Sequence, residues 1–226
     1  MHKTIILCTL LCLLAACKVK ETTGNNEGTI TYKIIYPEIV KGKAYASFLP
    51  TKMISAFKNH NYKVTIKGDL SLYDLEYICK ANGDSSATLF RVFDKRLFRL
   101  HKADEPLFLF GKLDETDVEF TDSEPKVISG YMCKKAIIHL ASPETTKLTV
   151  YYTEDIDFHR PPENTPFDKI PGAMLEFQVP FKGWNLTFSA QNVEHQRLEK
   201  KIFDVPDNYK ASEKGEIAEL VSALIQ

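Results

Sequence analysis

The chain has 226 residues, of which 44% are hydrophobic, so it is long and apolar enough to bury a substantial core in one large domain or two small ones. Its 29 Lys and Arg residues nearly balance its 30 Asp and Glu residues, which leaves a formal net charge of −1 at pH 7. This near-neutral charge, without a basic cluster, argues against nucleic acid as a partner.

The N-terminal segment has the order of a bacterial lipoprotein signal. His2 and Lys3 form a short basic head, residues 4–14 are an almost unbroken apolar run, and two alanines then precede Cys17. The apolar run is too short to span a bilayer. We therefore predict a signal peptide over residues 1–16 and acylation of Cys17. The alternatives are an ordinary secretory signal with a chance cysteine, or a membrane anchor.

This signal also sets the expected location of the protein. Lys18 follows the cysteine, at the position where an aspartate would retain a lipoprotein in the inner membrane. We therefore expect a lipid-anchored protein of the outer membrane that faces the periplasm rather than the cell surface, with the membrane as a partner through acylated Cys17. Residues 17–28 are polar and would form a flexible tether, and residues 29–226 would form a single folded domain.

Apolar and polar residues alternate along most of the remaining chain, which is typical of half-buried antiparallel strands. The alternation predicts strands in residues 30–36, 62–67, 74–79, 135–140, 148–153, 175–179 and 184–189, and two more in residues 87–100 around a turn at Asp94-Lys95. Glycine-containing turns, such as Lys182-Gly183, separate several of them. We expect about nine to eleven strands in total.

Helices are few. Residues 50–57 begin with a proline, which suits the first helical position, and carry three apolar residues on one side. Residues 212–225 begin with a serine cap, continue with acidic residues and contain an apolar stripe typical of a helix that packs on a sheet. Residues 159–166 are rich in proline and predict a loop or crossover.

The five cysteines have different expected fates. Cys8 and Cys12 would leave with the signal peptide, and Cys17 would carry lipid. Cys79 and Cys133 would remain on predicted strands in an oxidising compartment, where a disulfide between them would close a long loop. The alternative is two buried free thiols that behave as small apolar residues.

The sequence contains no recognisable catalytic motif. It lacks the nucleophile-elbow, zinc-protease, C-x-x-C and glycine-rich phosphate-binding patterns. The five histidines beyond residue 17 have no second His or Cys at ligand spacing. We therefore expect no enzyme activity, no catalytic residue, no metal site and no cofactor.

Residues 90–110 are unusually rich in large apolar side chains, several of which fall on both faces of their predicted strands. One interpretation is a strand pair that is buried on both sides. The other is the wall of an apolar cavity that could hold an acyl chain. The candidate cavity residues are Phe90, Phe93, Phe98, Leu100, Phe108 and Phe110.

Three short motifs resemble those of a group of Gram-negative lipoproteins. Residues 129–136 (SGYMCKKA) resemble a G-Y-x-C-K-K-A strand, residues 170–176 (IPGAMLE) a PG…LE turn and strand, and residues 203–210 (FDVPDNYK) an ending with P-x-x-Y. The chain thus resembles GLPGLI-type and related uncharacterised lipoprotein families. The resemblance implies a mainly β (α+β) fold. Its large curved antiparallel sheet would be a half-barrel similar to that of LolA and LolB, covered by a few helices that include a C-terminal one.

Two functions follow as expectations. The first is a non-enzymatic, lipid-anchored envelope protein that binds an apolar ligand or lipid in the concave face of its sheet, as LolA and LolB hold acyl chains. The alternative is a structural lipoprotein that docks another envelope protein, with its concavity filled by one of the predicted helices and an apolar patch on its surface. An enzyme would need scattered His, Asp and Glu side chains to converge in one pocket.

Overall fold

The computed structural model describes residues 24–68, 72–81, 86–102, 105, 107, 116–140, 147–158, 165–181 and 183–224. In these residues the fold is mainly β, with one curved open sheet and two α-helices, one of them C-terminal, as predicted. The sheet has twelve strands, whereas about nine to eleven are expected from the sequence. The strands are β1 (Glu27–Ile35), β2 (Lys52–Lys58), β3 (Asn61–Lys67), β4 (Tyr73–Cys79), β5 (Ser86–Val92), β6 (Lys95–His101), β7 (Asp117–Ile128), β8 (Tyr131–His139), β9 (Lys147–Thr153), β10 (Ala173–Phe181), β11 (Trp184–Glu194) and β12 (Lys210–Ala211). The helices are α1 (Glu38–Lys41) and α2 (Glu216–Ala223), and 3-10 helices span Ala44–Phe48 and Lys200–Phe203.

The sheet consists of two antiparallel meanders joined by one pair of strands. Strands β1 to β6 follow one another in one half, and β7 to β11 follow one another in the other half. β1 and β11 pair in antiparallel register, from Thr29 opposite Glu194 to Ile35 opposite Thr187, and we call this pair the seam. β12 is different, since it pairs in parallel with β6 at the far edge.

Successive side chains on each strand point to opposite faces, and the two faces have separate cores. Phe90 on β5 packs with Leu97 and with Ile217 of α2, whereas its neighbour Leu89 packs with Phe203 of the second 3-10 helix. We call the face of Phe90 the inner face and the face of Leu89 the outer face. The strand registers place the largest core cluster on the inner face.

The chain after β11 wraps around one edge of the sheet. Its 3-10 helix covers the outer face, β12 extends the edge, and α2 then packs on the inner face. The predicted C-terminal helix is therefore confirmed, but it is shorter than residues 212–225. Gly215, with a φ of 90°, precedes the helix in place of the expected Ser212 cap. Ser212 instead directly follows β12, where its N–H donates a hydrogen bond to the Phe98 carbonyl oxygen at 2.8 Å.

The helix predicted for residues 50–57 is wrong, because residues 52–58 form β2. Met53 and Phe57 lie on the inner face of β2. Ile54 and Ala56 on the opposite face are also apolar, so the alternation of apolar and polar residues that marks a strand is absent here. The turn that follows is the stronger signal. Asn59 and His60 both have positive φ, 47° and 66°, which is the conformation of a two-residue hairpin loop and one that asparagine tolerates well.

β7 is a strand that the hydrophobic pattern does not reveal. It forms an edge of the sheet and is exposed along most of its length, so its residues need no apolar period. Glu124 has a φ of 63° and precedes Pro125, and the register with β8 shifts between Thr121 and Lys126. An irregular register, a proline and charged side chains protect an edge strand from pairing with another chain.

Substitution of Ile30, a core residue at the seam, should strongly lower the free energy of unfolding. Ile30 is fully buried, opposite Ser55 on β2 and Val193 on β11. We expect Ile30→Ala to lower the free energy of unfolding by about 2–5 kcal/mol, since it leaves a cavity between the two halves. Lys33→Ala, at an exposed position of the same strand, should change it by less than about 0.5 kcal/mol. Urea denaturation measures both values, and equal effects would contradict this assignment of the core.

Candidate functional site

Two adjoining apolar cavities lie on the inner face of the sheet. The larger has a volume of about 160 Å³ and the smaller a volume of about 100 Å³. Ile66, Val179 and Phe188 line both, so only a few side chains separate the two spaces. For comparison, an enclosed apolar cavity of about 150 Å³ admits a molecule the size of benzene, and these two spaces are partly open.

The larger cavity takes its wall from both meanders. Its sheet residues are Tyr32, Met53, Ser55, Tyr62, Val64, Ile66, Tyr77, Met174, Phe177, Val179 and Phe188. Its roof consists of residues between strands, namely Leu107, Phe158, Thr165 and Phe167. The cavity therefore spans the seam, and its roof lies outside the ladder of backbone hydrogen bonds.

Aromatic contacts hold the wall of the larger cavity in place. Phe177 stacks on Phe188 with ring centroids 5.1 Å apart and an angle of 7° between the rings. Phe167 and Tyr32 meet the same Phe177 ring edge-on, at 5.6 Å and 5.7 Å. The Tyr32 hydroxyl also donates a hydrogen bond to the Met174 carbonyl oxygen at 2.8 Å. Such contacts keep these side chains from rotating into the empty space.

The smaller cavity lies between the sheet and α2. Its lining residues are Ile34, Tyr36, Leu49, Pro50, Ile66, Tyr73, Leu75, Val179, Leu186, Phe188, Val221 and Leu224. Val221 and Leu224 come from α2 or its C-terminal end, and the Tyr36 hydroxyl donates a hydrogen bond to the Pro50 carbonyl oxygen at 2.8 Å. α2 thus forms the roof of this cavity.

The described lining of both cavities carries no Asp, Glu, His, Lys or Arg. Its polar side chains are hydroxyls, and burial keeps them neutral. Burial raises the pKa of Tyr32 and Tyr62 far above the ordinary tyrosine value, and it raises the pKa of Tyr73 to about 12. A ligand in these cavities would therefore meet an uncharged surface of low polarity, where an unpaired charge is costly.

A third pocket, of about 200 Å³, lies beside the start of α2 and has charged side chains in its lining. In it, Arg99 donates a hydrogen bond to Glu105 at 2.7 Å, and the Thr88 hydroxyl lies 2.8 Å from Nε2 of His101. Lys214 also contributes to the lining. Because this lining carries charges of both signs, it favours neither an anion nor a cation.

The candidate cavity residues taken from the sequence are distributed over both faces. Phe90 is on the inner face but is fully buried against α2, which occupies the space in front of it. Phe98 is on the outer face and packs in the cluster that contains Phe203. Neither residue lines the two apolar cavities.

The remaining candidates do not form a cavity wall either. Phe93 lies in the β5–β6 turn with a φ of 50° and is 69% exposed, and Leu100 is 58% exposed. Phe108 and Phe110 lie outside the described residues, as does Cys17. The prediction of a common wall is therefore wrong, because Phe90 lies on the inner face, Phe98 and Leu100 lie on the outer face, and Phe93 lies in a turn.

Cys79 and Cys133 are both buried free thiols, so the candidate disulfide is absent. They lie on β4 and β8, and six other strands separate these two in the sheet. Burial raises the pKa of both thiols, that of Cys133 to about 11. Since the thiolate is the reactive form, neither cysteine is activated as a nucleophile.

The described residues contain neither a membrane-spanning helix nor a metal cluster. No helix among them is long and apolar enough to cross a membrane. Likewise, no three His, Cys, Asp or Glu side chains in this part of the chain form a group that could hold a metal ion.

No family model and no curated protein matches the chain. Among solved structures, it is similar to an uncharacterized conserved protein from Thermus thermophilus, with 8% identity and a TM-score of 0.46 over 83% of this chain and 90% of that one. It is also similar to MucB, with 10% identity and a TM-score of 0.32 over 84% of this chain and 60% of MucB. These values are too low to carry a conclusion about function, and membership of a GLPGLI-type lipoprotein family stays a prediction.

His101, in the third pocket, should make the free energy of unfolding depend on pH. Burial lowers the pKa of His101 below its ordinary value of 6.5, with Arg99 acting in the same direction and Glu105 in the opposite one. The unfolded chain therefore binds a proton at this histidine more readily than the folded protein does. The stabilisation is fully present above about pH 6.5 and is lost as the pH falls below that value.

We therefore expect the melting temperature to fall as the pH is lowered from about 7.5 to about 5. The variant His101→Gln should show a shallower fall, since it lacks the group that takes up the proton. Differential scanning calorimetry at a series of pH values measures both, and an unchanged slope in the variant would contradict the role of His101.

Proposed function

We propose that this protein is a non-enzymatic, lipid-anchored envelope lipoprotein that binds an apolar ligand, such as the acyl chain of a lipid, on the concave inner face of its sheet. The observation that carries the proposal is the pair of adjoining apolar cavities, which the described side chains leave unfilled. Ligand sites in proteins are typically clefts or cavities lined mainly by apolar and aromatic side chains. Both spaces have such a lining and lie next to each other on the concave face, which favours a binding site.

The arrangement of the cavities suits an elongated ligand. A chain longer than one cavity would pass between Ile66, Val179 and Phe188, which line both spaces. The roofs consist of α2 on one side and of residues between strands on the other. Such segments can move to admit a ligand without breaking the hydrogen bonds of the sheet.

The chemistry of the walls supports a binding role without catalysis. General acid–base catalysis needs a titratable side chain whose pKa lies near the working pH. The titratable side chains in the described walls are tyrosines, and burial raises the pKa of Tyr32 and Tyr62 further from neutrality. These walls are suited to hold an apolar molecule rather than to transform it.

We further propose that acylated Cys17 holds the protein on the periplasmic face of the outer membrane. Asn25 and Asn26 already hydrogen-bond with Asp155 and Asn59 of the domain, so a tether of roughly seven residues would join the lipid to the domain. A flexible chain of that length would have an end-to-end distance of about 15 Å, which would keep the cavities close to a source of lipids.

The anchor predicts a loss of lipid on substitution. We expect Cys17→Ser to abolish the incorporation of labelled palmitate, because serine lacks the thiol that would carry the acylated group. Cys12→Ser, within the predicted signal peptide, should retain the incorporation. Metabolic labelling followed by isolation of the protein distinguishes these outcomes, and labelled Cys17→Ser would contradict the proposed anchor.

The cavity predicts where a substitution blocks ligand binding. Val64 lies on the inner face of β3 in the wall of the larger cavity. We expect Val64→Phe to lower the affinity for the fluorescent apolar probe N-phenyl-1-naphthylamine by about tenfold or more, because the added ring fills the space. Leu100→Ser, at a position predicted from the sequence to line a cavity but exposed in the structure, should leave the affinity unchanged.

Native mass spectrometry of the protein purified without detergent provides a second measurement. A copurifying lipid or fatty acid in the wild type, absent from Val64→Phe, would support the proposal. A wild type that binds no probe and shows no mass shift on addition of lipids would refute it.

The second candidate function is docking to another envelope protein, and one observation favours it. Val127 and Met132 lie opposite each other on the β7–β8 hairpin and are 62% and 58% exposed. Adjacent exposed apolar side chains are typical of contact surfaces. Under this candidate, replacing both residues with lysine would weaken the contact with the partner, whereas Val64→Phe would not.

A further inference from the structure

We propose that the ligand of the larger cavity is uncharged and carries a hydrogen-bonding oxygen, as in a long-chain alcohol or an ester, and that Oγ of Ser55 binds this oxygen. The inference rests on the proposed function and names the class of ligand. It assigns a specificity role to a residue that the sequence places in a predicted helix and the structure places in the cavity wall.

Ser55 is a polar exception in an apolar part of the sheet. On the inner face it lies between Met53 and Phe57 along β2, and opposite Ile30 on β1 and Val64 on β3. Its side chain is almost completely buried, with a relative exposure of 3%. Its Oγ has no hydrogen-bond partner among the residues that the structure describes.

A buried hydroxyl without a partner destabilises the folded protein, and such groups are rare in native structures. Valine at this position would suit the surrounding side chains and leave no polar atom unpaired. A serine instead provides both space and a donor at a point where the cavity is open. A ligand oxygen that reaches Oγ would satisfy the group, which is why we assign the hydroxyl to ligand recognition.

The absence of charged side chains from the described lining favours an uncharged ligand oxygen over an ionised one. The described lining contains no cation, so an ionised carboxylate would be buried without a counter-charge. A pure hydrocarbon would leave Ser55 unpaired. An uncharged alcohol or ester oxygen avoids both penalties, since the hydroxyl can donate a hydrogen bond to either oxygen.

A water molecule is the competing partner for Ser55. Buried water typically makes two to four hydrogen bonds. The hydroxyls of Tyr77 and Thr165 also belong to the lining, so the cavity has polar groups besides Ser55. If water satisfied Ser55 equally well with every ligand, the protein would not distinguish an alcohol from an alkane of the same length.

The test compares three ligands of equal chain length: octane, 1-octanol and octanoate. Each displaces N-phenyl-1-naphthylamine from the full-length protein at pH 8, where octanoate is ionised. We expect the wild type to bind 1-octanol about tenfold more tightly than octane, which is the typical effect of one hydrogen bond to a buried group. Octanoate should bind more weakly than 1-octanol by at least the same factor.

Two variants of matched shape isolate the hydroxyl. Ser55→Thr keeps it and Ser55→Val replaces it with a methyl group, while both add the same bulk to the wall. We expect Ser55→Thr to retain the preference for 1-octanol over octane and Ser55→Val to lose it, with octane affinity similar in the two. Thr65→Ala, which removes a hydroxyl from the neighbouring strand on the outer face, should retain the full preference.

Circular dichroism and the melting temperature show whether each variant is folded. If Ser55→Val is not folded, Ser55→Ala, which also lacks the hydroxyl, replaces it; if Ser55→Thr is not folded, the wild type serves as the protein that keeps the hydroxyl. Equal wild-type affinities for octane and 1-octanol, or a preference that survives in Ser55→Val, would overturn the inference and leave the proposed function standing. If neither the probe nor any of the three ligands binds, the proposed function fails and the inference fails with it.

Discussion

The pairing of β1 with β11 holds the two halves of the sheet together, and with them the wall of the larger cavity. It brings together residues that are about 150 positions apart, such as Ile34 and Phe188, and turns two separate meanders into one sheet. The backbones approach closely at Gly28, where an added Cβ would lie only 2.2 Å from the Glu194 carbonyl oxygen. Since the larger cavity takes its wall from both meanders, the binding site exists only when this pairing has formed. Pairing over so long a stretch of chain is slow, so the site would be among the last parts of the protein to assemble.

The described side chains leave part of the inner face unfilled, because the wall of the larger cavity is held in place and α2 covers only one end of the sheet. The stacked rings of Phe177 and Phe188 and the hydrogen bond of Tyr32 fix the wall, while α2 covers only the end of the sheet near Phe90. An empty apolar cavity costs stability. The fold tolerates this cost because a further cluster, around Leu89 and Phe203 on the outer face, buries apolar surface independently of both cavities.

Alternation of apolar and polar residues identifies a strand well where one of its faces is polar, and it fails where both faces are apolar. β3 and β9 are confirmed close to their predicted bounds, but β2 carries apolar residues on both faces because Ala56 packs in the outer cluster. The candidate cavity was misplaced for a related reason. A run of apolar residues shows that side chains are buried, but the face of each one and the strands that meet it depend on register and on the distant pairing of β1 with β11. Ser55 was missed because its burial becomes visible only once β2 is recognised as a strand.

The two cysteines of the sheet allow the opening of each half to be followed by chemical labelling. Cys79 belongs to the first meander and Cys133 to the second, and both are buried. A thiol reagent reaches each of them only when the structure around it opens, so the labelling rate of each cysteine reports the local stability of its own half. The native chain thus contains one labelling site in each half of the sheet. A comparison of the two labelling rates with and without ligand would show whether binding stabilises one meander or both.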